Sequence, residues 1–157
     1  MRIGFGYDSH RFAQGRPLIL GGVTIPFETG LAAHSDGDVL IHAIIDALLG
    51  AAALGDIGSH FPDTDEKWKG TDSTELLAEV VREVRAAGYA IGNIDATVIC
   101  ERPKLRPYVD AIRNRLSQLL NLSTSQLSIK GKTNEKMDDI GAGLGIEVHA
   151  VALLDPL

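Results

Sequence analysis

Apolar positions recur along this chain at two spacings, and the switching between them predicts a mixed α and β protein. The stretch Arg2 to Asp8 reads as a strand, and Leu18–Leu20 and Val23–Ile25 flank Gly21-Gly22 as a short hairpin would. The Ala- and Leu-rich run Val39–Leu54 predicts a helix, with Ser35, Asp36 or Asp38 as its cap and Gly55 at its end. Asp56–Gly70 carries Gly, Pro, Asp and Thr throughout and predicts a long loop, a feature that compact domains usually keep for function.

Asp72 and Glu75 stand at capping-box spacing, and Leu76, Leu77, Val80, Val81 and Val84 follow with helical periodicity up to Gly88. Ile94, Ala96, Val98 and Cys100 alternate with Asp95, Thr97 and Ile99, which is the period of a strand. Pro107 opens a further helix that aligns Val109, Ile112, Leu116, Leu119 and Leu120. Leu127–Thr133 and Ile146–Leu154 complete the pattern as two strands. The fold class expected is α+β: a single domain over residues 1–157, with a mixed β-sheet and three helices packed on one face. Ile94, Val98, Ile146 and Val148 read as too apolar for a sheet with a wet face, so self-association across the other face is expected.

Composition narrows the function. With 45% hydrophobic and 23% charged residues the chain has the balance of a soluble domain, and no apolar run reaches the ~18–20 residues of a membrane helix. No leader is expected in Met1–Tyr7, and Cys100 is the one cysteine, so no intrachain disulfide can form and the cytoplasm is the expected location. The net charge of −6 comes without a basic stripe, which argues against a nucleic-acid partner. An anionic small molecule still fits such a chain where metals and a few local cations reverse the field.

Candidate chemistry begins with Asp8-Ser9-His10, where a strand places Asp8 and His10 on one face. His42 lies in the apolar helix with Asp38 and Asp46 one turn away on either side, either of which would serve as its hydrogen-bond partner. A core histidine bonded to a carboxylate explains His42 alone. Two histidines and one aspartate with a free fourth position is the composition of a catalytic zinc site. His34 and Ser35 stand just before the helix, where free N–H groups attract phosphate oxygens. Lys132-Thr133-Asn134-Glu135-Lys136 combines cations, a hydroxyl and a carboxylate, a set suited to phosphate and Mg²⁺ or to a solvated turn. Gly131-Lys132-Thr133 is not a Walker A loop because Gln126 stands where glycine is required, and Gly141, Gly143 and Gly145 precede a strand, unlike a dinucleotide fingerprint.

Taken together, the chain resembles the 2-C-methyl-D-erythritol 2,4-cyclodiphosphate synthase family over its whole length. The resemblance is carried by Arg2-Ile-Gly-x-Gly-Tyr-Asp8-x-His10, Leu31-Ala-Ala-His34-Ser-Asp-Gly-Asp38, Asp46 through Gly58, Phe61-Pro-Asp-Thr-Asp65, Pro103-Lys-Leu105, Thr133-x-Glu135-Lys136 and Val151-Ala-Leu-Leu154. It implies conversion of 4-diphosphocytidyl-2-C-methylerythritol 2-phosphate to the cyclic diphosphate and CMP, by a homotrimer with active sites between subunits. It assigns Zn²⁺, or another divalent metal, to Asp8, His10 and His42. His34 and Thr133 become transition-state stabilisers, and Glu135 helps to hold Mg²⁺ or Mn²⁺ on the diphosphate. Ser35, Asp56, Ile57, Gly58, Phe61, Pro62, Asp63, Thr64 and Asp65 would line the methylerythritol and phosphate site. Cys100, Glu101, Arg102, Pro103, Lys104, Leu105 and Arg106 of the neighbouring subunit would take the cytidine, with Lys132 and Asn134 beside the phosphates. Asp8 and His10 would also touch the substrate. Where members of the family often carry a basic residue near Gly141, this chain has Ala142. The ligand set by itself also admits a zinc phosphoesterase that uses water, or a scaffold that metal only staples.

Overall fold

A computed structural model describes residues 1–157. Seven strands and five helices occur in the order β1 (Arg2–Ala13), β2 (Leu18–Leu20), β3 (Val23–Ile25), β4 (Gly30–Leu31), α1 (Val39–Ala52), α2 (Ile57–His60), α3 (Ser73–Ala86), β5 (Tyr89–Ile99), α4 (Val109–Leu120), β6 (Leu127–Lys132), α5 (Asp138–Gly141) and β7 (Gly145–Pro156). The main sheet is five-stranded in the order β4-β1-β7-β5-β6, and β2 and β3 form a separate hairpin. β1 and β5 flank β7 antiparallel, whereas β6 joins β5 in parallel. The mixed α+β domain expected from the sequence is the one observed, with α1, α3 and α4 on one face of the sheet.

Several boundaries differ from the sequence reading, each for a local reason. β1 continues past Asp8 because β7 pairs it as far as Arg11↔Gly145 and β4 then pairs it at Ala13↔Gly30. The helix α1 stops at Ala52, not at Gly55, because Ala53 adopts the left-handed conformation (φ 59°) and returns its N–H to the last turn. The stretch expected as loop, Asp56–Gly70, contains α2 and a short 3₁₀ turn at Glu66–Trp68. Asp38 caps α1 by accepting from the Ile41 N–H at 3.0 Å, and it also accepts from Gly21 and Gly22. Buried among them, it ties the β2–β3 hairpin to the start of the helix.

The strand period decides which residues meet the helices. Ile94, Ala96 and Val98 of β5 and Ile146, Val148, Ala150, Ala152 and Leu154 of β7 are all buried under α1, α3 and α4. The expectation that Ile94, Val98, Ile146 and Val148 would drive self-association is therefore wrong, because all four belong to the covered face. Apolar exposure lies on the opposite face, at Ile3 (72% exposed), Phe5 (61%), Tyr7 (45%) and Val151 (38%). No helix is long and apolar enough to cross a membrane.

Candidate metal centre

Gly4, Gly6, Asp8 and His10 alternate along β1 and point to the side that α1 covers. A Cβ at Gly4 would lie 2.0 Å from the Ala47 carbonyl oxygen, and one at Gly6 would lie 1.9 Å from that of Ala43. Only hydrogen fits there, so the two glycines let the helix backbone rest directly on the strand. Farther along the same row stand Asp8 and His10, and His42 reaches them from the first turns of α1. Asp8 Oδ2 is 2.9 Å from His10 Nε2 and 3.0 Å from His42 Nδ1, and the two ring nitrogens are 3.4 Å apart.

The outer side of each ring fixes one proton. His10 Nδ1 lies 2.8 Å from the Ala32 carbonyl oxygen, which can only accept, so Nδ1 carries a proton and Nε2 is the nitrogen turned inward. Ser73 Oγ donates to Asp36 Oδ1 at 2.5 Å, because a carboxylate likewise only accepts. The remaining capacity of that hydroxyl faces His42 Nε2 at 2.9 Å, so Nε2 carries a proton and Nδ1 is the nitrogen that faces Asp8. Ser35 Oγ is a second neighbour of Nε2 at 3.2 Å. Each ring thus commits one N–H on its outer side, and the three inward atoms suit a divalent cation that replaces any proton shared with Asp8.

Neither Asp38 nor Asp46 is the partner of His42, contrary to the sequence expectation. Asp38 is committed to the cap of α1, and Asp46 accepts from the Ile57 N–H at 2.8 Å. Ser73 and Asp36 take that place, and the sequence hid them. Ser73 follows the cap residue of α3, and Asp36 looked like one more capping candidate for α1. Asp8 and His10 perturb one another in the expected sense. Burial opposes the charge on Asp8, yet hydrogen bonds from His10 and His42 prevail and lower its pKa to about 2. Burial likewise works against a charged His10, but the hydrogen bond and charge of Asp8 win, and the pKa is raised.

His34 and Ser35 sit beside this cluster on a loop that Arg16 holds by donating to the Ala33 carbonyl at 2.7 Å and to the Ser35 carbonyl. Arg16 has no sequence signal for that role, since its partners are backbone groups of another segment. The His34 ring lies 3.3 Å from the Asp65 carbonyl through Nε2, and the Gly70 N–H donates to the His34 carbonyl at 2.8 Å, so the 61–70 segment folds over His34. Within it Phe61 meets Trp68 edge to face with centroids 5.0 Å apart. Asp56 accepts from the Ser59 N–H and hydroxyl and so caps α2, leaving Ile57 half-buried and Gly58 exposed beside it. Pro62 is half-buried, and Asp63, Thr64 and Asp65 are exposed.

The other expected site residues gather elsewhere. Cys100, Glu101, Pro103, Lys104, Leu105, Arg106, Lys132 and Thr133 line an open groove of about 810 Å³, together with Lys130, Gly131 and the start of α4. Arg102 points away, over Phe27 and toward Glu28. Glu101 accepts from the Asn134 N–H at 2.8 Å and braces the turn in which Glu135 and Lys136 have positive φ. Thr133 donates to Glu135 Oε1 at 3.2 Å. Register puts this groove at the same end of the sheet as the metal centre: His10 faces Ile146, Ile99 faces Glu147, and Ile99 faces Lys132. Three strand spacings of ~4.8 Å separate β1 from β6, so one subunit does not bring the two groups together.

Fold and site together define a small α+β domain with one Asp-His-His metal centre and a cation-lined groove. The chain belongs to the YgbB family, whose pattern matches residues 1–155. It is 58% identical over 154 residues to the 2-C-methyl-D-erythritol 2,4-cyclodiphosphate synthase of Brachyspira hyodysenteriae, covering 98% of both chains. The synthase of Laribacter hongkongensis is also 58% identical, over 98% of this chain and 95% of its own. Among solved structures, a 2C-methyl-D-erythritol-2,4-cyclodiphosphate synthase in a CDP-bound form superposes with a TM-score of 0.90 at 44% identity, covering 98% of this chain and 100% of that one. The bifunctional IspDF of Campylobacter jejuni gives a TM-score of 0.96 at 42% identity over 99% of this chain, which spans 42% of that longer protein.

Proposed function

We propose that this chain converts 4-diphosphocytidyl-2-C-methyl-D-erythritol 2-phosphate to 2-C-methyl-D-erythritol 2,4-cyclodiphosphate and CMP. The observation that carries the reading is the inward convergence of Asp8, His10 and His42 in a chain whose relatives bear that synthase's name. The nucleophile is an oxygen of the substrate's own 2-phosphate, already ionised at neutral pH, so no general base is needed. What remains is to bend the substrate until that oxygen lies in line with the β-phosphorus, with CMP leaving on the opposite side. Asp8, His10 and His42 would hold a divalent ion, Zn²⁺ by its ligand chemistry, and Glu135 would help to hold Mg²⁺ or Mn²⁺; the ions would supply Lewis acidity and charge screening at the phosphates.

The chain's own groups supply the rest. His34 and Ser35 donate to phosphate oxygens beside the metal centre, and the Asp56–Gly58 and Phe61–Asp65 segments enclose the methylerythritol. Lys104 and Lys132 neutralise the nucleotide phosphates, and Thr133 donates to the transferring phosphoryl group. Backbone groups of residues 100–106 read the base edge, a reading supported by the CDP-bound form of the related synthase. Because the groove and the metal centre of one subunit stand apart, the site is completed by pairing the two halves across subunits of a homotrimer. The uncovered face around Ile3, Phe5, Tyr7 and Val151 supplies an apolar surface for that assembly. The single buried thiol of Cys100 suits a cytoplasmic protein.

Phosphorus NMR of the substrate incubated with protein tests the reaction directly. The expected products are the cyclic diphosphate and CMP, formed without chelator and suppressed by it. Release of inorganic phosphate would identify a phosphoesterase instead.

A further inference from the structure

We infer that Asp36 and Ser73 form a polarity relay that holds His42 in its metal-binding tautomer and thereby sets the metal affinity of the site. The inference rests on the metal-centre reading. Both oxygens of Asp36 are engaged: Oδ1 accepts from the Ser73 hydroxyl at 2.5 Å and from the Asp38 N–H at 3.1 Å, and Oδ2 accepts from the Ser73 N–H at 2.9 Å. Ser73 is fully buried and His42 is 7% exposed, so neither side chain has bulk water as an alternative partner. With its proton given to Asp36, Ser73 can offer His42 only an acceptor, 2.9 Å from Nε2. Nε2 therefore carries a proton, and an ion has only to displace a proton shared by Nδ1 and Asp8 to take the Nδ1 lone pair. The geometry makes Asp36 and Ser73 positioning residues, since neither lies within reach of the three inward atoms. A carboxylate serves at the far end because it accepts from all three donors, the Ser73 hydroxyl, the Ser73 N–H and the Asp38 N–H, and cannot itself donate.

Asp36→Asn is the isosteric change that breaks this set. One amide oxygen cannot accept from all three donors, so the NH₂ group must face either the Ser73 N–H or the Ser73 hydroxyl and the Asp38 N–H. Either arrangement loosens Ser73 and weakens its acceptance of the His42 Nε2–H.

The measurement is the zinc affinity of the full-length protein from chelator competition, paired with the ¹H–¹⁵N signal of His42 Nε2 in the zinc-loaded state. In the wild type that N–H should be hydrogen-bonded and slow to exchange. In Asp36→Asn it should exchange faster, zinc should bind roughly 10–100-fold more weakly, and activity should return at high zinc. Asp36→Asn with the wild-type exchange and affinity would overturn the relay. If that variant fails to fold by circular dichroism, Ser73→Ala decides: weaker zinc binding in a folded protein supports the relay, and unchanged affinity overturns it. A wild-type protein that takes up no zinc would overturn the metal reading and the relay together, whereas zinc uptake with unchanged affinity in the variants would overturn the relay alone.

Discussion

At Asp8, His10 and His42 every ring nitrogen already has a partner within one subunit, whereas Lys104, Lys132 and Thr133 stand exposed around an open groove. The first region is built where a strand and a helix touch through glycine, and its side chains are held from behind. The second is built on the ends of β5 and β6 and on the turn that follows, with little behind it but Glu101. The difference shows that folding of a single chain prepares the metal end and leaves the groove open; under the proposed function, substrate and a neighbouring subunit order the groove. Changes at the metal end should therefore act through affinity for the ion, and changes in the groove should act through substrate binding and assembly.

The largest effect expected is that of His42→Ala. Loss of one ligand should empty the site of zinc and lower turnover about 10³-fold, equivalent to several kcal/mol, with the circular dichroism largely retained. Zinc still bound stoichiometrically in that variant would remove His42 from the ligand set. Next comes Gly6→Ala, whose methyl would stand 1.9 Å from the Ala43 carbonyl and force α1 off β1. Denaturant titration should show a loss of about 3 kcal/mol or more, with zinc binding impaired as well, although residue 6 touches no ion.

Lys104→Ala should leave zinc untouched and weaken nucleotide binding by roughly 1.5–3 kcal/mol, as loss of a charged hydrogen bond does. Mixed with His42→Ala after proven subunit exchange, it should regain partial activity, because some sites then combine two intact halves. No recovery would count against a site shared between subunits. Glu135→Gln should keep zinc and raise the Mg²⁺ concentration needed for half-maximal rate about tenfold. An unchanged Mg²⁺ titration would refute its role.

The smallest effect concerns Cys100, at the floor of the groove. Burial, reinforced by the charge of Glu101, pushes its thiol pKa up to about 11, above the ordinary value of 9.0. A raised acid pKa means that the folded state favours the neutral thiol. That contribution to stability is whole below about pH 9 and is lost as the pH rises through about 11. Alkylation of the native protein should accordingly be slow at neutral pH and fast only after unfolding.

The sequence made the metal end more legible than the groove. D-x-H on a strand and His42 in an apolar helix are local patterns, and strand periodicity alone puts Asp8 and His10 on one side. The role of Ser73 was illegible because it depends on α3 starting against the loop before α1, a contact between residues far apart in the chain. The outer face of the sheet is hidden in the sequence for a similar reason. Ile94, Val98, Ile146 and Val148 show which residues are apolar, but only the placement of α1 shows that the helices already cover them. Exposed Phe5 and Tyr7 alternate with Gly4 and Gly6, and their outward direction follows once the glycines are seen to meet the helix. Arg16 and Glu101 act on backbone groups, which leave no pattern in a sequence.

The long ladder between β1 and β7 has a further consequence. Asp8 pairs with Val148 and His10 with Ile146, and a shift of a single residue would carry the carboxylate and imidazole to the far side of the sheet, out of reach of α1. Ion uptake during refolding would therefore report strand alignment, separating correctly zipped molecules from collapsed ones of similar helix content.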